Sequence, residues 1–173
     1  ARWYGELSVP EPGQYMQHVK QAGVESEELV LNDLADWLRD SWEADVRYVF
    51  GPGSTMHGLA QSLGLETTLL GVDVIENGEV LALDVGEKQL FALVAAHPAM
   101  LLVTAIGGQG HIIGRGNQQI SPRVLRSIGL DRLRVIASKR KLETLQGRPM
   151  LVDSGDPQLD ESFPEVVRVW AGY

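Results

Sequence analysis

The chain contains no cysteine among its 173 residues. That excludes disulfides, thiolate metal sites and a cysteine nucleophile. It suits a reducing compartment, so the cytoplasm is the expected location. Long hydrophobic runs are also missing. The most apolar stretch, Phe91 to Ile106, is broken by His97-Pro98 and is too short to span a bilayer of about 30 Å. No signal-peptide pattern opens the sequence. Positive charge is scarce, with 15 Lys and Arg against 23 Asp and Glu and a net charge of -8. Neither nucleic acid nor an anionic membrane is therefore an expected partner. The four histidines, His18, His57, His97 and His111, show no metal-ligand spacing, and no Ser-His-Asp ordering stands out.

What remains is an ordinary globular composition, 44% apolar and 22% charged, long enough to bury a core without staples. Residues 1–24 are expected to form an extended arm. Trp3, Gly5, Leu7 and Val9 alternate, and Pro10-Glu11-Pro12-Gly13 ends them in a turn. The abrupt opening suggests a piece of a longer protein, with the arm leading from a missing upstream domain and residues 25–173 forming one ligand-binding domain. The sequence also leaves room for a homodimer.

Charge is unevenly spread. Between His111 and Arg148 there are nine basic residues and two acidic ones, a local charge of +7, so the remainder carries -15. Such a segment either attracts a small anion or lies as a solvated face.

Hydrophobic periodicity predicts a helix from about Ser26 to Trp42, with Leu31, Leu34, Ala35, Leu38 and Trp42 inward. Strands are predicted over 46–50, 68–74, 79–85, 100–106, 133–137, 150–152 and 166–170. Asn77-Gly78 is a hairpin signal. Helices are predicted after Gly51-Pro52-Gly53-Ser54-Thr55, over 87–96, from Ser121-Pro122 to Gly129, and over 138–146. The alternation predicts an α/β fold, a largely parallel sheet with helices on both faces and one β-hairpin.

Three places carry candidate chemistry. At Gly51-Pro52-Gly53-Ser54-Thr55 a strand passes into a helix. Gly51 and Gly53 would let the backbone approach a phosphate, and Ser54, Thr55 and the helix N-terminus would donate to it. The alternative is a tight turn with a serine cap. This is neither a Walker A loop nor the Gly-x-Gly-x-x-Gly fingerprint. The second place holds Gly107, Gly108, Gln109, Gly110, Arg115, Gly116, Asn117 and Gln118. Five glycines in ten residues cost backbone entropy, which suggests close approach to a ligand, with Arg115 on a phosphate and Asn117 and Gln118 on a sugar or base. A flexible lid is the other reading. Third, Asp153 and Asp156 follow a strand end and either hold Mg²⁺ or make an ordinary turn. Asp73, in an apolar strand, is the most interesting single acid, because a buried carboxylate needs a partner.

Several stretches together resemble one known family. They are Gly51-Pro52-Gly53-Ser54-Thr55, Leu69-Leu70-Gly71-Val72-Asp73-Val74, Ile106-Gly107-Gly108-Gln109-Gly110, the run Gly114-Arg115-Gly116-Asn117-Gln118-Gln119-Ile120-Ser121-Pro122, and Arg148-Pro149-Met150-Leu151-Val152-Asp153-Ser154-Gly155-Asp156-Pro157. They look like the C-terminal half of the bacterial and archaeal ATP-NAD kinase-like proteins, described as predicted polyphosphate/ATP-NAD kinases. The resemblance implies phosphorylation of NAD to NADP, with ATP or polyphosphate and Mg²⁺, and a nucleotide as partner. It implies phosphate contacts at both Gly-rich segments, with Asp73 orienting a ribose hydroxyl or a metal. The Gly-Gly-Asp-Gly signature of the N-terminal half does not occur here, and Ala105 stands where the family usually has proline. This piece alone is therefore expected to be inactive. The periodicity predicts α/β, unlike the mostly β C-terminal domain of true NAD kinases. The Gly51–Thr55 turn is also similar to that of ribose-phosphate isomerases and CoA-transferase-like domains. A non-catalytic sensor of nucleotides or sugar phosphates, or a sugar-phosphate isomerase, is the alternative.

Overall fold

The computed structural model describes residues 2–3, 27–106 and 110–171. Most of the expected arm and the expected cap Ser26 lie outside these residues. Strand β1 (Arg2–Trp3) is followed by α1 (Glu27–Asp40), β2 (Arg47–Phe50), α2 (Ser54–Ser62), β3 (Asp73–Glu76), β4 (Glu79–Ala82), α3 (Glu87–Val94) and β5 (Ala99–Val103). Then come β6 (His111–Ile113), α4 (Pro122–Ile128), β7 (Leu133–Ile136), α5 (Lys139–Glu143), β8 (Leu151–Val152), α6 (Pro157–Glu161) and β9 (Val169–Trp170).

The main sheet has the order β4-β3-β2-β5-β7-β9. Strands β2, β5, β7 and β9 run parallel, β3 is antiparallel to β2, and β4 is antiparallel to β3. This is the predicted largely parallel α/β sheet. Side chains alternate between its faces, as strand geometry requires. Val49, Leu101, Val103 and Val135 pack with Leu90 and Val94 of α3 and Val124, Leu125 and Ile128 of α4. Tyr48, Phe50, Leu102 and Ile136 pack on the other face with Leu31, Leu34, Ala35 and Leu38 of α1 and Met56, Leu59 and Ala60 of α2. Helices thus cover both faces, and β5 is buried along its whole length, as its unbroken apolar run predicts.

The hairpin turns at Asn77 (φ 52°) and Gly78 (φ 79°), the two positive φ values of a type I′ turn. Helix α1 stops at Asp40, so Trp42 is not on its buried face. It lies past the helix end and stacks on Tyr48 with ring centroids 4.2 Å apart.

Two expectations are corrected. The strand predicted over 68–74 begins only at Asp73, because residues 68–72 coil around the Asp73 carboxylate. A second small sheet, β1-β8-β6, was not foreseen. Its strand β6 lies inside the glycine-rich segment. Three residues are too few to show a period.

Helices α3 and α4 are joined by polar contacts at their N-termini. The Glu87 carboxylate accepts from Ser121 Oγ (2.6 Å) and from the Arg123 guanidinium. Ser121, the α4 N-cap, also accepts from Val124 N. The Arg123 hydrogen bonds, aided by Ser121, hold the Glu87 carboxyl at about 2, below its ordinary 4.5. A carboxyl depressed by folding stabilises the fold above its unfolded pKa and loses that contribution as the pH falls toward the folded value. Glu87→Gln should therefore flatten the acid limb. In urea titrations at a series of pH values, its midpoint should fall less than the parent's between about pH 5 and pH 2.5. An identical acid limb would show that the contact contributes nothing.

Candidate functional site

Parallel strands β2, β5 and β7 end on one edge of the main sheet, where open α/β sheets place their ligands. From β2 the chain enters Gly51-Pro52-Gly53. Gly51 N donates to Leu102 O at 2.8 Å. A Cβ at Gly51 would lie 3.2 Å from Val103 Cγ1 and 3.3 Å from Leu102 O, so glycine lets the turn lie against β5. Gly53 is at φ +124°, with Thr104 Cγ2 at 3.2 Å from where a Cβ would stand. Gly53 is also the α2 N-cap. It brings no capping side chain, and no acidic residue occupies the first turn. The α2 N-terminus therefore presents amide donors and about half a positive charge at this edge. Ser54 is exposed, whereas Thr55 is 1% exposed.

Opposite the turn, β5 leads into Thr104, 3% exposed, and β7 leads through Ser138 into α5. Ser138 caps α5 by accepting from Lys141 N. The Lys141 side chain then reaches back across the strand ends. Its Nζ donates to Thr55 Oγ1 at 3.1 Å and to Thr104 Oγ1 at 2.9 Å. Three strand exits are thus tied together by one ammonium. Neither Lys141 nor Thr104 was picked out in the sequence. The usable signal was Ser138, a cap directly after a strand, which turns the first helical turn toward the same edge as Gly51–Thr55. Three neighbouring cations, Lys139, Arg140 and Lys141, hid which one turns inward.

A short strand, β6, lies inside the glycine-rich segment. Gly107, Gly108 and Gln109 lie outside the described residues. Ile106 N donates to His111 O at 2.8 Å, so the segment folds back after β5 before β6 begins. Gly114, Arg115, Gly116, Asn117 and Gln118 lie beyond the far end of β6, three strand residues or about 10 Å from Gly110. Gly110 (φ +76°) is required by packing, since a Cβ there would lie 2.9 Å from Pro149 O. At Gly114 a Cβ would fall 1.8 Å from Asp153 O. Arg115, Gly116 and Gln118 are exposed. Asn117, expected to face a sugar or base, is 2% exposed and ties the loop instead. Its Nδ2 donates to Ile112 O and its Oδ1 accepts from Gly114 N.

The Asp73 carboxylate is engaged by the chain itself. It accepts from Thr68 N (2.7 Å), Thr68 Oγ1 (2.9 Å) and Asp84 N (2.8 Å). Gly71 fits inside this coil, where a Cβ would lie 2.4 Å from Thr68 Oγ1 and 2.5 Å from Asp84 Oδ1. The coil carries Leu69, whose carbonyl accepts from Gly53 N at 2.9 Å. Asp73 thus supports the Gly51–Thr55 turn through the chain, as a positioning residue.

Of the expected metal pair Asp153 and Asp156, the second is engaged within the fold. Asp156 caps α6 by accepting from Gln158 N and Leu159 N, and its other oxygen pairs with Arg126 at 2.6 Å. Among the described residues no group of three His, Asp or Glu side chains could hold a metal ion.

The basic segment is largely consumed inside the fold. Arg123 pairs with Glu87, Arg126 with Asp156, and Arg132 with Glu43, while Arg134 donates to the Asp131 and Leu133 carbonyls. Exposed pairs of this kind are worth about 0–1 kcal/mol each. The three acidic partners offset three of the seven local positive charges. Among the histidines, His57 has Thr67 Oγ1 and Gln61 Nε2 each 3.2 Å from its ring nitrogens. His111 is 5% exposed, and neither ring nitrogen has a hydrogen-bond partner. Burial lowers its pKa, as does the Arg115 charge, against the opposing charge of Asp153.

With this geometry in place, the chain was compared with known proteins. Residues 43–173 match the family model described as the ATP-NAD kinase C-terminal domain. No curated protein and no solved structure matches.

Replacing Asp73 by alanine removes the buried charged acceptor of three hydrogen bonds, from half-buried Thr68 and from the backbone of exposed Asp84. Each loss costs about 1–3 kcal/mol, against a total stability of about 5–15 kcal/mol for a domain. Asp73→Ala should lower the unfolding free energy in urea by about 3 kcal/mol or more. A change under about 1 kcal/mol would show that the carboxylate is not what holds the coil.

Proposed function

The chain belongs to the ATP-NAD kinase C-terminal domain family, and on that premise we propose that it is the nucleotide-binding part of an NAD kinase-like phosphotransferase that converts NAD to NADP at the expense of ATP or polyphosphate. The observation that carries this reading is the uncapped N-terminus of α2 at Gly51–Thr55, set at the strand ends beside Thr104 and Lys141. Phosphoryl transfer needs little covalent chemistry from the protein and depends on positioning and charge neutralisation. Backbone amides, hydroxyls and one ammonium are suited to both. In this reading Gly107, Gly108, Gln109 and Gly110, which follow β5, complete the phosphate site. Arg115, Gly116 and Gln118, a short strand's length away, meet a more distant part of an extended dinucleotide. Mg²⁺ arrives on the phosphate oxygens of the donor, as it commonly does.

Asp73 is engaged by the chain's own donors. The proton of the ribose hydroxyl is then taken by a group outside this domain, in an N-terminal domain carrying the Gly-Gly-Asp-Gly signature. The domain alone binds and does not turn over.

Calorimetric titration of NAD, NADP and ATP into this chain and into the full-length protein tests the reading. Both should bind at least one of the three, and only the full-length protein should form NADP. Binding by neither would overturn it. Binding by the full-length protein without NADP formation would identify a sensor instead of a kinase. A membrane form is not expected, as no helix among the described residues is long and apolar enough to cross a bilayer.

A further inference from the structure

We propose that the groove between α1 and α2 is the sugar subsite of the bound nucleotide, with the Glu28 carboxylate accepting from the ribose hydroxyls. This inference rests on the phosphate reading of Gly51–Thr55 above and adds to it where the next part of the ligand lies.

The groove is an open cavity of about 530 Å³, within the range of small-molecule sites. Ser54 lines it and is also the first residue of α2, so the cavity begins where the phosphate reading places an anion. From there it follows α2 past Gly58 to Gln61, with Glu28, Leu31 and Asn32 of α1 forming the other wall. Gly58 sets how closely the two walls approach. A Cβ there would lie 2.7 Å from Leu31 Cδ1, so glycine lets Leu31 pack directly on α2.

The polar lining mixes donors with acceptors. Glu28 only accepts, whereas Ser54 and Asn32 both donate and accept. Gln61 turns its amide nitrogen to His57 Nε2 at 3.2 Å, which leaves its amide oxygen as an acceptor. Among the described residues the Glu28, Asn32 and Ser54 side chains engage no other group. A second phosphate in the groove would face the Glu28 charge with no cation in the lining. Hydroxyls suit the set, because each one both donates and accepts. The two oxygens of a carboxylate can take both protons of a vicinal diol, and an acidic side chain holds a ribose hydroxyl in this way in dinucleotide-binding sheets. A nucleotide with its phosphate on the first turn of α2 presents its ribose next. Helix α1 precedes residues 43–173, the part that matches the family model, so the match does not describe this wall.

The test titrates ADP, its 2′,3′-dideoxy analogue and inorganic pyrophosphate calorimetrically into the chain and into Glu28→Ala. The parent should bind ADP about tenfold tighter than the analogue, as expected for hydrogen bonds to a charged group. Glu28→Ala should bind ADP about tenfold more weakly, no longer tell ADP from the analogue, and hold pyrophosphate as the parent does. The unchanged pyrophosphate affinity separates loss of a contact from loss of fold. The analogue comparison on the parent stands whether or not the variant folds. Equal binding of ADP and the analogue by the parent, or a preference that persists in Glu28→Ala, overturns the subsite. So does pyrophosphate binding without ADP binding. In each of these cases the phosphate reading of Gly51–Thr55 survives if pyrophosphate binds. If the parent binds neither ADP nor pyrophosphate, that reading falls and the subsite falls with it.

Discussion

Everything at the candidate site depends on how closely the chain leaving β2 can approach β5. The Gly51 amide hydrogen-bonds to Leu102 O where a side chain would press on Val103. This contact extends the parallel pairing one residue past the strand. It brings Gly53 against Thr104 and starts α2 at the level of the β5 exit. Thr55 and Thr104 can then share one ammonium. A larger residue at Gly51 would push the turn off the sheet edge and separate the two hydroxyls. Gly53 adds a second restriction through its positive φ, which side chains with a Cβ rarely adopt.

The support for this turn comes from both sides. On one side, the coil around Asp73 presents the Leu69 carbonyl to Gly53 N. On the other, α5 begins at the Ser138 cap and returns Lys141 over the strand ends. The core itself is conventional, with alternating faces on β2 and β5 covered by two helix pairs. Strand ends are fixed by core packing, whereas the loops between them are fixed by a small number of polar contacts. Charge follows the same division. Three arginines of the basic segment pair with Glu87, Asp156 and Glu43, and Lys141 reaches the strand ends.

Most of the fold could be read from the residues because its signals are local. The Leu31–Leu38 spacing, Asn77-Gly78, Ser121-Pro122 and the apolar run at β5 each act within a few residues. Gly51–Thr55 was readable for the same reason, as a strand, two glycines and a helix in succession. What could not be read from the residues shares one cause. Asp73 is expensive to bury unless paired, and its partners, Thr68 and Asp84, lie five and eleven residues away without any repeating pattern. Lys141 finds its partners 86 and 37 residues away, which no spacing rule reveals. The glycine-rich segment looked like one loop because His111-Ile112-Ile113 is too short to declare itself a strand. Its pairing with β8 forms only in the folded chain.

The most direct test of where the ligand sits is amide chemical-shift mapping of the isotope-labelled chain during titration with NAD. Phosphate binding at the main-sheet edge predicts the largest shifts at Gly51, Gly53, Ser54, Thr55, Thr104 and the Ser138–Lys141 turn. Large shifts confined to Gly114–Gln118, with the strand ends unmoved, would contradict it.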